Sequence, residues 1–443
     1  MGIMRKMMTG FSLLLILLAC SAQALTLKES IGIALKNNPS VVASEKKMVA
    51  ADAKLRQAVG AFLPTLKLAG NLGRAYQQPS TVQFTTQTTM GSQTQTLTFG
   101  TDAAQDSRGI TASLSQPIFI GALLPGYGLA QKNLDLAKAD HQKTILDTSF
   151  NVTQAYFGVL KADKMAKLAE ESKQMAQSHV NQVQTMLNAG VVTRADLLRS
   201  EVQLANAEVG LTRARAGLEI AKDAFNNALG NNLEQEVNLV EEGLTGTVAS
   251  LLPYQNLLAT ALDNRPDWKQ YLLSRGMSED NLKIAQADYL PSVMLTASKG
   301  NLITEFPSYK SDVSSWNVTG AASWTLFDGL GRENRIREAA ANLDAQKATE
   351  EQVKNGIALE VRDAYLNLKS ALETIGSAKK AVDSAQEGYK LSNLRYDSGV
   401  GTNLEILDAQ VALTQAKTNY LQALFDVEIA KAKINKVVGK EVW

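Results

Sequence analysis

The sequence predicts a mainly α protein with a small β part, built as a duplication. Each copy holds a helix, a strand pair and a long antiparallel coiled-coil hairpin. Three observations predict it. Nine prolines and a 6% aromatic content, with abundant Ala, Leu, Gln, Lys and Glu, favour long helices. Apolar residues recur every seven positions along the longest helical stretches. Short motifs recur at fixed offsets between the two halves of the chain.

At the N-terminus, Arg5 and Lys6 precede an apolar run, Phe11 to Ala19, that is too short to span a bilayer. Ala22-Gln23-Ala24 offers a small-residue cleavage site, so residues 1–24 read as a signal peptide and the mature chain leaves the cytoplasm. A competing reading takes Leu17-Leu18-Ala19-Cys20 as a bacterial lipobox, ending the signal at residue 19 and lipidating Cys20. Cys20 is the single cysteine, so neither reading allows a disulfide within one chain. No later apolar run is long enough for a membrane-crossing helix, which leaves any membrane role to strands. With 45 basic and 44 acidic residues the net charge is +1, which gives no field to steer a polyanion and argues against nucleic acid as a partner.

The duplication is read from pairs of motifs. Asn37-Asn38-Pro39 and Asn264-Arg265-Pro266 lie 227 residues apart, as do Leu63-Pro64 and Leu290-Pro291. Gln116-Pro117-Ile118-Phe119-Ile120-Gly121 and Trp324-Thr325-Leu326-Phe327-Asp328-Gly329 are offset by 208, and Gly190 and Gly399 by 209. The halves therefore run 25–230 and 254–443, joined by an acidic connector at 231–253. The change of offset puts 19 extra residues in the first copy. They fall in the polar run from Gln77 to Asp106, which reads as a long surface loop.

Each half opens with a helix of roughly 30 residues, Leu27 to Phe62 and Tyr254 to Tyr289, the latter broken near Pro266 and both ended by Leu-Pro. Alternating stretches follow. Leu66, Leu68 and Leu72 share one parity, as do Ile110, Ala112, Leu114, Ile118 and Ile120. In the second copy Val293, Leu295 and Ala297 share one, and Trp316, Val318, Ala322, Trp324 and Leu326 another. Period two with one apolar face means half-wetted strands, four per chain. The tryptophans at the ends of the last strand suit a membrane interface, and an ordinary surface sheet fits the same pattern. Four strands cannot close a barrel, so membrane insertion predicts an oligomer.

Uninterrupted helical patterns come next, Leu129 to Ala189 and Arg332 to Ser398, each about 60 residues or roughly 90–100 Å. Thr193 to Leu229 and Thr402 to Val438 return. Val361, Leu368, Ile375, Val382, Tyr389 and Tyr396 recur every seven residues, as do Ile406, Leu413, Tyr420, Val427 and Ile434. Ala409, Ala416, Ala423 and Ala430 accompany the latter set; Leu197, Leu204, Leu211, Leu218 and Phe225, with Ser200, Ala207, Ala214 and Ala221, repeat the design. A seven-residue repeat imposes coiled-coil packing.

The turns between these helices are Gly190-Val191-Val192-Thr193-Arg194-Ala195-Asp196 and Gly399-Val400-Gly401-Thr402-Asn403-Leu404-Glu405-Ile406-Leu407-Asp408. Glycine stops one helix, threonine caps the next, and carboxylates follow in its first turns, where the helix dipole favours them in any case. His141 and His179, the two histidines, have no metal-spaced partner on their own helices. No nucleophile elbow or phosphate-binding glycine loop is present, so the expectation is a non-enzyme with no cofactor and no metal.

In the order of its elements the chain resembles the TolC-type outer membrane efflux proteins of Gram-negative bacteria. The residues that carry the resemblance are Asn38-Pro39, Asn264-Arg265-Pro266-Asp267, both Leu-Pro steps, Gln116-Pro117-Ile118-Phe119, Leu326-Phe327-Asp328-Gly329 and the two turns. The resemblance implies a homotrimer whose strands close one twelve-stranded outer-membrane barrel above a helical tunnel across the periplasm. It makes the connector equatorial and the Gln77–Asp106 loop extracellular. It also implies a passive exit duct of a tripartite efflux or type I secretion system, served by an inner-membrane transporter and a periplasmic adaptor. Asp196, Tyr396, Glu405 and Asp408 fall where the family's entrance gate lies. Carboxylates from three chains would crowd there, attracting cations and raising one another's pKa. Gly190, Val191, Thr193, Arg194, Gly399, Gly401 and Thr402 form the tips where an adaptor docks. Gly401 replaces an arginine that family members can carry, and Arg194 stands in the first tip instead. The competing class is a periplasmic coiled-coil adaptor or tether without a pore, which needs one hairpin flanked by β-domains rather than two hairpins.

Overall fold

The computed structural model describes residues 24–442 apart from 90, 100, 101, 242, 243, 245, 247–250 and 308. Cys20 and most of the signal segment lie outside the described residues. The first copy holds α1 (Leu27–Asn37), α2 (Pro39–Gly60), β1 (Thr65–Gln77), β2 (Ser80–Thr88), β3 (Gly91–Phe99), β4 (Ala103–Phe119), α3 (Leu123–Asn188) and α4 (Arg194–Leu229). The second holds α5 (Tyr254–Asn264), α6 (Pro266–Ala287), β5 (Ser292–Glu305), β6 (Lys310–Ser323), α7 (Gly331–Ala348), α8 (Glu350–Asp397) and α9 (Asn403–Val438). The chain divides into two compact units, one of residues 1–44, 142–265 and 355–443 and one of 45–141 and 266–354.

In the first unit the opening helix of each copy is broken, in the first copy as well as at the expected Pro266. Asn38 (ψ 123°) and Arg265 (ψ 124°) are extended, because a following proline disfavours helix at the residue before it. The returning helices α4 and α9 end in Gly230 and Gly439, both with φ 76°. A β-carbon on either would come within 2.9 Å and 3.0 Å of the Asn37 and Asn264 carbonyls. Asn38 Nδ2 donates to the Ala228 carbonyl at 3.0 Å, and Arg265 Nη1 donates to that of Val437 at 3.2 Å. The repeated Asn-X-Pro motif is thus the seat for the end of each hairpin.

Around that seat Tyr156 and Phe157 of α3, Phe225 and Leu229 of α4, Phe425 of α9 and Ala34 of α1 form one apolar core. Full burial of each large side chain contributes about 1.5–3 kcal/mol. The Tyr156 hydroxyl donates to the Val240 carbonyl, and Leu25 pairs in parallel with Leu239, which fastens the start of the connector to the first copy.

In the second unit β1, β4, β5 and β6 form one antiparallel sheet in that order. Strands from both copies meet at its centre, β4 against β5, and β1 and β6 are its edges. The register puts Leu66, Leu68, Leu72, Ile110, Leu114, Leu295, Trp316 and Val318 on one face. Gly, Ser and Thr dominate the other. Exposure of Leu66, Leu72 and Trp316 is 78%, 87% and 76%.

Four expectations are corrected. The presumed loop from Gln77 to Asp106 contains a two-stranded antiparallel ribbon, β2 paired with β3. Its alternating Thr/Gln and Val82, Phe84, Leu97 and Phe99 were masked by overall polarity. The pairing shifts between Pro117 and Phe119, so Phe119 and not Ile118 opposes Val293. Trp324 and Leu326 lie beyond the end of β6, where Trp324 Nε1 donates to the Tyr289 carbonyl at 3.0 Å. The helical pattern from Arg332 is also interrupted, at Thr349, where the Tyr271 hydroxyl of α6 donates to the Gln346 carbonyl that would otherwise continue the helix.

Candidate functional site

Both turns lie in the first unit and are built by one rule. Gly190 (φ 76°) and Gly399 (φ 73°) take the left-handed conformation that closes a helix end. Gly190 N–H donates to Leu187 and Val191 N–H to Met186, both at 2.9 Å. Gly399 N–H donates to Tyr396 at 2.9 Å and Val400 N–H to Arg395 at 3.0 Å. Thr193 and Thr402 then cap α4 and α9, their hydroxyls accepting from Asp196 N–H (3.2 Å) and Glu405 N–H (3.3 Å).

The carboxylates diverge from there. Asp196 turns back on its own cap and accepts from Thr193 N–H at 3.1 Å and Thr193 Oγ1 at 2.7 Å, closing a capping box. The hydroxyl bond from Thr193 is the main cause that holds the Asp196 pKa below the usual carboxylate range; partial burial opposes it, and the Thr193 amide and Arg199 assist. Within one chain Asp196 thus moves opposite to the rise expected of a crowded ring. Glu405 leaves its cap and meets Arg395 Nε of α8 at 3.3 Å. Asp408 stands exposed on α9.

Gly401 has a steric reason. A β-carbon there would sit 2.9 Å from the Tyr396 nitrogen and 3.0 Å from the Arg395 carbonyl carbon, while its own N–H donates to the Arg395 carbonyl at 2.9 Å. The backbone of α8 occupies the place of a side chain, so an arginine does not fit this turn. Val191, Thr193 and Arg194 are exposed at the first turn, as are Gly399 and Thr402 at the second.

Tyr396 is 4% exposed and packs with Val183, Leu197 and Ile406, one residue from each of the other helices. Its hydroxyl is buried without a hydrogen-bond partner. Burial, with smaller contributions from Asp196 and Asp397, raises its pKa. The structure therefore gathers Asp196 and Tyr396 at one place, ties Glu405 across the second turn, and leaves Asp408 outside.

Sequence reasoning missed the polar contacts just behind this cluster. His179 Nε2 of α3 lies 2.6 Å from Asn403 Oδ1 of α9, and Ser200 Oγ of α4 is 3.3 Å from the same oxygen. Asn403 Nδ2 donates to the Asp196 carbonyl at 3.0 Å. One heptad along, Gln410 Nε2 donates to the Ser172 carbonyl at 3.3 Å. The available signal was that Asn403 and Gln410 share a stripe with Ile406 and Leu413; polar residues on a seam position specify register. Among the described residues no group of His, Cys, Asp and Glu could hold a metal ion, and no helix is long and apolar enough to cross a membrane.

Comparison with known proteins gives a consistent picture. The family model "Outer membrane efflux protein" matches residues 30–231 and 257–440. The alkaline protease secretion protein AprF of Pseudomonas aeruginosa is 26% identical, over 98% of this chain and 89% of its own. The outer membrane protein TolC of Escherichia coli is 22% identical, over 76% of this chain and 71% of its own. The crystal structure of the outer membrane protein VceC of Vibrio cholerae superimposes with a TM-score of 0.75 at 19% identity, covering 94% of this chain and 97% of that one.

Proposed function

From the premise that the chain belongs to the outer membrane efflux protein family, we propose that three copies form a passive exit duct, gated where the hairpin tips meet. The chain is an outer-membrane component of an efflux or secretion system in a Gram-negative bacterium. The family is one of transport ducts rather than enzymes.

The observation that carries the reading is the sheet. It has an exposed apolar face, a polar Gly/Ser/Thr face and two unpaired edges, β1 and β6. Open edges are not tolerated in lipid, so β1 of one copy must pair with β6 of the next. Three four-stranded sheets close as an even, twelve-stranded barrel, with the apolar face on lipid and the polar face lining the lumen. The ion pairs Arg74–Asp106 (2.6 Å) and Arg108–Glu305 (2.7 Å) end the apolar face and mark the headgroup level. The β2–β3 ribbon then stands outside the cell.

Helix surfaces support the same assembly. Leu359 and Leu366 on α8, and Leu404 and Val411 on α9, are exposed at seven-residue spacing, a second apolar stripe that a neighbouring copy covers. At the tips, Asp196, Glu405 and Asp408 from three copies ring the entrance, with Tyr396 packed behind them. The tip residues Gly190, Val191, Thr193, Arg194, Gly399, Gly401 and Thr402 are the docking surface for a periplasmic adaptor that links the duct to an inner-membrane transporter. A pore-free tether has no use for an amphipathic sheet with unpaired edges.

The test is fractionation. The full chain, expressed in a Gram-negative host, should appear in outer-membrane fractions as a heat-sensitive trimer that conducts ions in planar bilayers. A mature chain soluble as a monomer without detergent sinks the proposal.

A further inference from the structure

We propose that His179, Ser200 and Asn403 form a proton-operated latch that ties the two hairpins together behind their tips. The latch rests on the entrance reading only for its consequence, since its contacts lie within one chain. His179 belongs to α3, Ser200 to α4 and Asn403 to α9, so the triad joins hairpin α3–α4 to hairpin α8–α9. All three are buried, at 4%, 1% and 5% exposure.

The hydrogen bonds fix the protonation state. Asn403 Nδ2 donates to the Asp196 carbonyl, so Asn403 Oδ1 is the acceptor that faces His179 Nε2. In the neutral ring Nε2 therefore carries the hydrogen and Nδ1 is bare. His179 Nδ1 is buried and has no partner. A second proton must go to Nδ1, where the resulting cation would be out of water with one N–H unsatisfied, a costly arrangement. Parting the helices to admit water relieves it.

Among the described residues none bonds Nδ1. On α4, the Asp196 carboxylate is engaged by Thr193. On α8, Gln182 of α3 holds the Asp397 carboxylate, and Arg395 pairs with Glu405 of α9. Tyr396 of α8 presents its ring to the imidazole at 5.5 Å between centroids, with its hydroxyl unbonded. Imidazole is the side chain whose charge ordinarily changes between about pH 5 and 8. Protonation of Nδ1 therefore opens the latch, and its loss lets the latch close.

The experiment is amide hydrogen exchange on the full-length protein in detergent, followed in peptides covering 179–200 and 396–410 at pH 7.5 and 5.5, corrected for intrinsic rates. In the native chain, exchange of both peptides should rise about tenfold at the lower pH. His179→Gln, whose amide still donates to Asn403 but takes no proton, should remove the response and keep the pH 7.5 protection. Asn403→Ala should exchange fast at both pH values, and His141→Gln should behave as native. A native chain that does not respond, one that tightens on acidification, or an equal response in His179→Gln overturns the latch. If exchange responds as stated while no pH permits conductance, the latch stands and the duct reading fails.

Discussion

The two tips share a backbone and differ in what they hold. Gly190 and Gly399 close their helices alike, and Thr193 and Thr402 cap alike. Position 192 is a valine packed against the cluster of Tyr396 and Ile406, whereas its counterpart Gly401 has α8 backbone where a side chain would go. Asp196 spends its carboxylate on its own cap, and Glu405 reaches across to Arg395. The first tip thus keeps its carboxylate on its own cap while Val192 packs on the cluster shared with the other hairpin, and the second is tied within its own hairpin by a close backbone contact and a surface ion pair. Duplication supplied one fold twice; the second copy is where a change in one residue reaches both of its helices.

Four substitutions probe this contrast, in falling order of effect. Gly401→Val should force α8 and α9 apart at the turn and cost about 1–3 kcal/mol. Val192→Gly at the equivalent place removes a partly buried side chain and should cost about 1 kcal/mol. Amide exchange in the two tip peptides reads both; equal effects would erase the distinction drawn from Gly401. Thr193→Ala removes the hydroxyl that accepts from Asp196 N–H and donates to the Asp196 carboxylate, leaves only the backbone arm of the capping box, and should cost about 1 kcal/mol. Thr402→Ala removes one arm and should cost less by the same measurement.

The third contrast is in acid. The Asp196 pKa is depressed in the folded chain, so its contribution is present above the unfolded value of about 3.9 and is lost as pH falls through the folded value. Protection of the first tip should therefore fade below about pH 4 in the native chain. Asp196→Asn should show no such loss, and an identical acid profile would contradict the assignment. The smallest effect belongs to Glu405→Gln. Arg395 and Glu405 are 55% and 42% exposed, so their pairing is worth at most about 0.5 kcal/mol and should vanish in molar salt.

Much of this was legible in the sequence because periodicity and punctuation report local structure directly. Offsets between Asn-X-Pro, Leu-Pro and the turn glycines marked the duplication, and heptads such as Val361, Leu368 and Ile406, Leu413 marked the buried seams. What escaped depended on contacts across the fold. The β2–β3 ribbon is stabilised by pairing rather than by a core, so its polar composition read as loop. Thr349 breaks a helix because of a hydroxyl on α6, 75 residues away along the chain. At the tips, the turn glycines, cap threonines and carboxylates were visible, but only the fold brings His179 to Asn403, 224 positions apart. The steric reason for Gly401 likewise lies in α8.

The central claim is that the tips ring the entrance of a trimeric duct. Planar-bilayer conductance of the purified trimer, titrated with a multivalent cation from the tip side, tests it most directly. A carboxylate ring should bind the cation and block the pore, and Glu405→Ala with Asp408→Ala should weaken the block by about tenfold or more. Block of equal strength in the double variant would show that these carboxylates do not line the constriction.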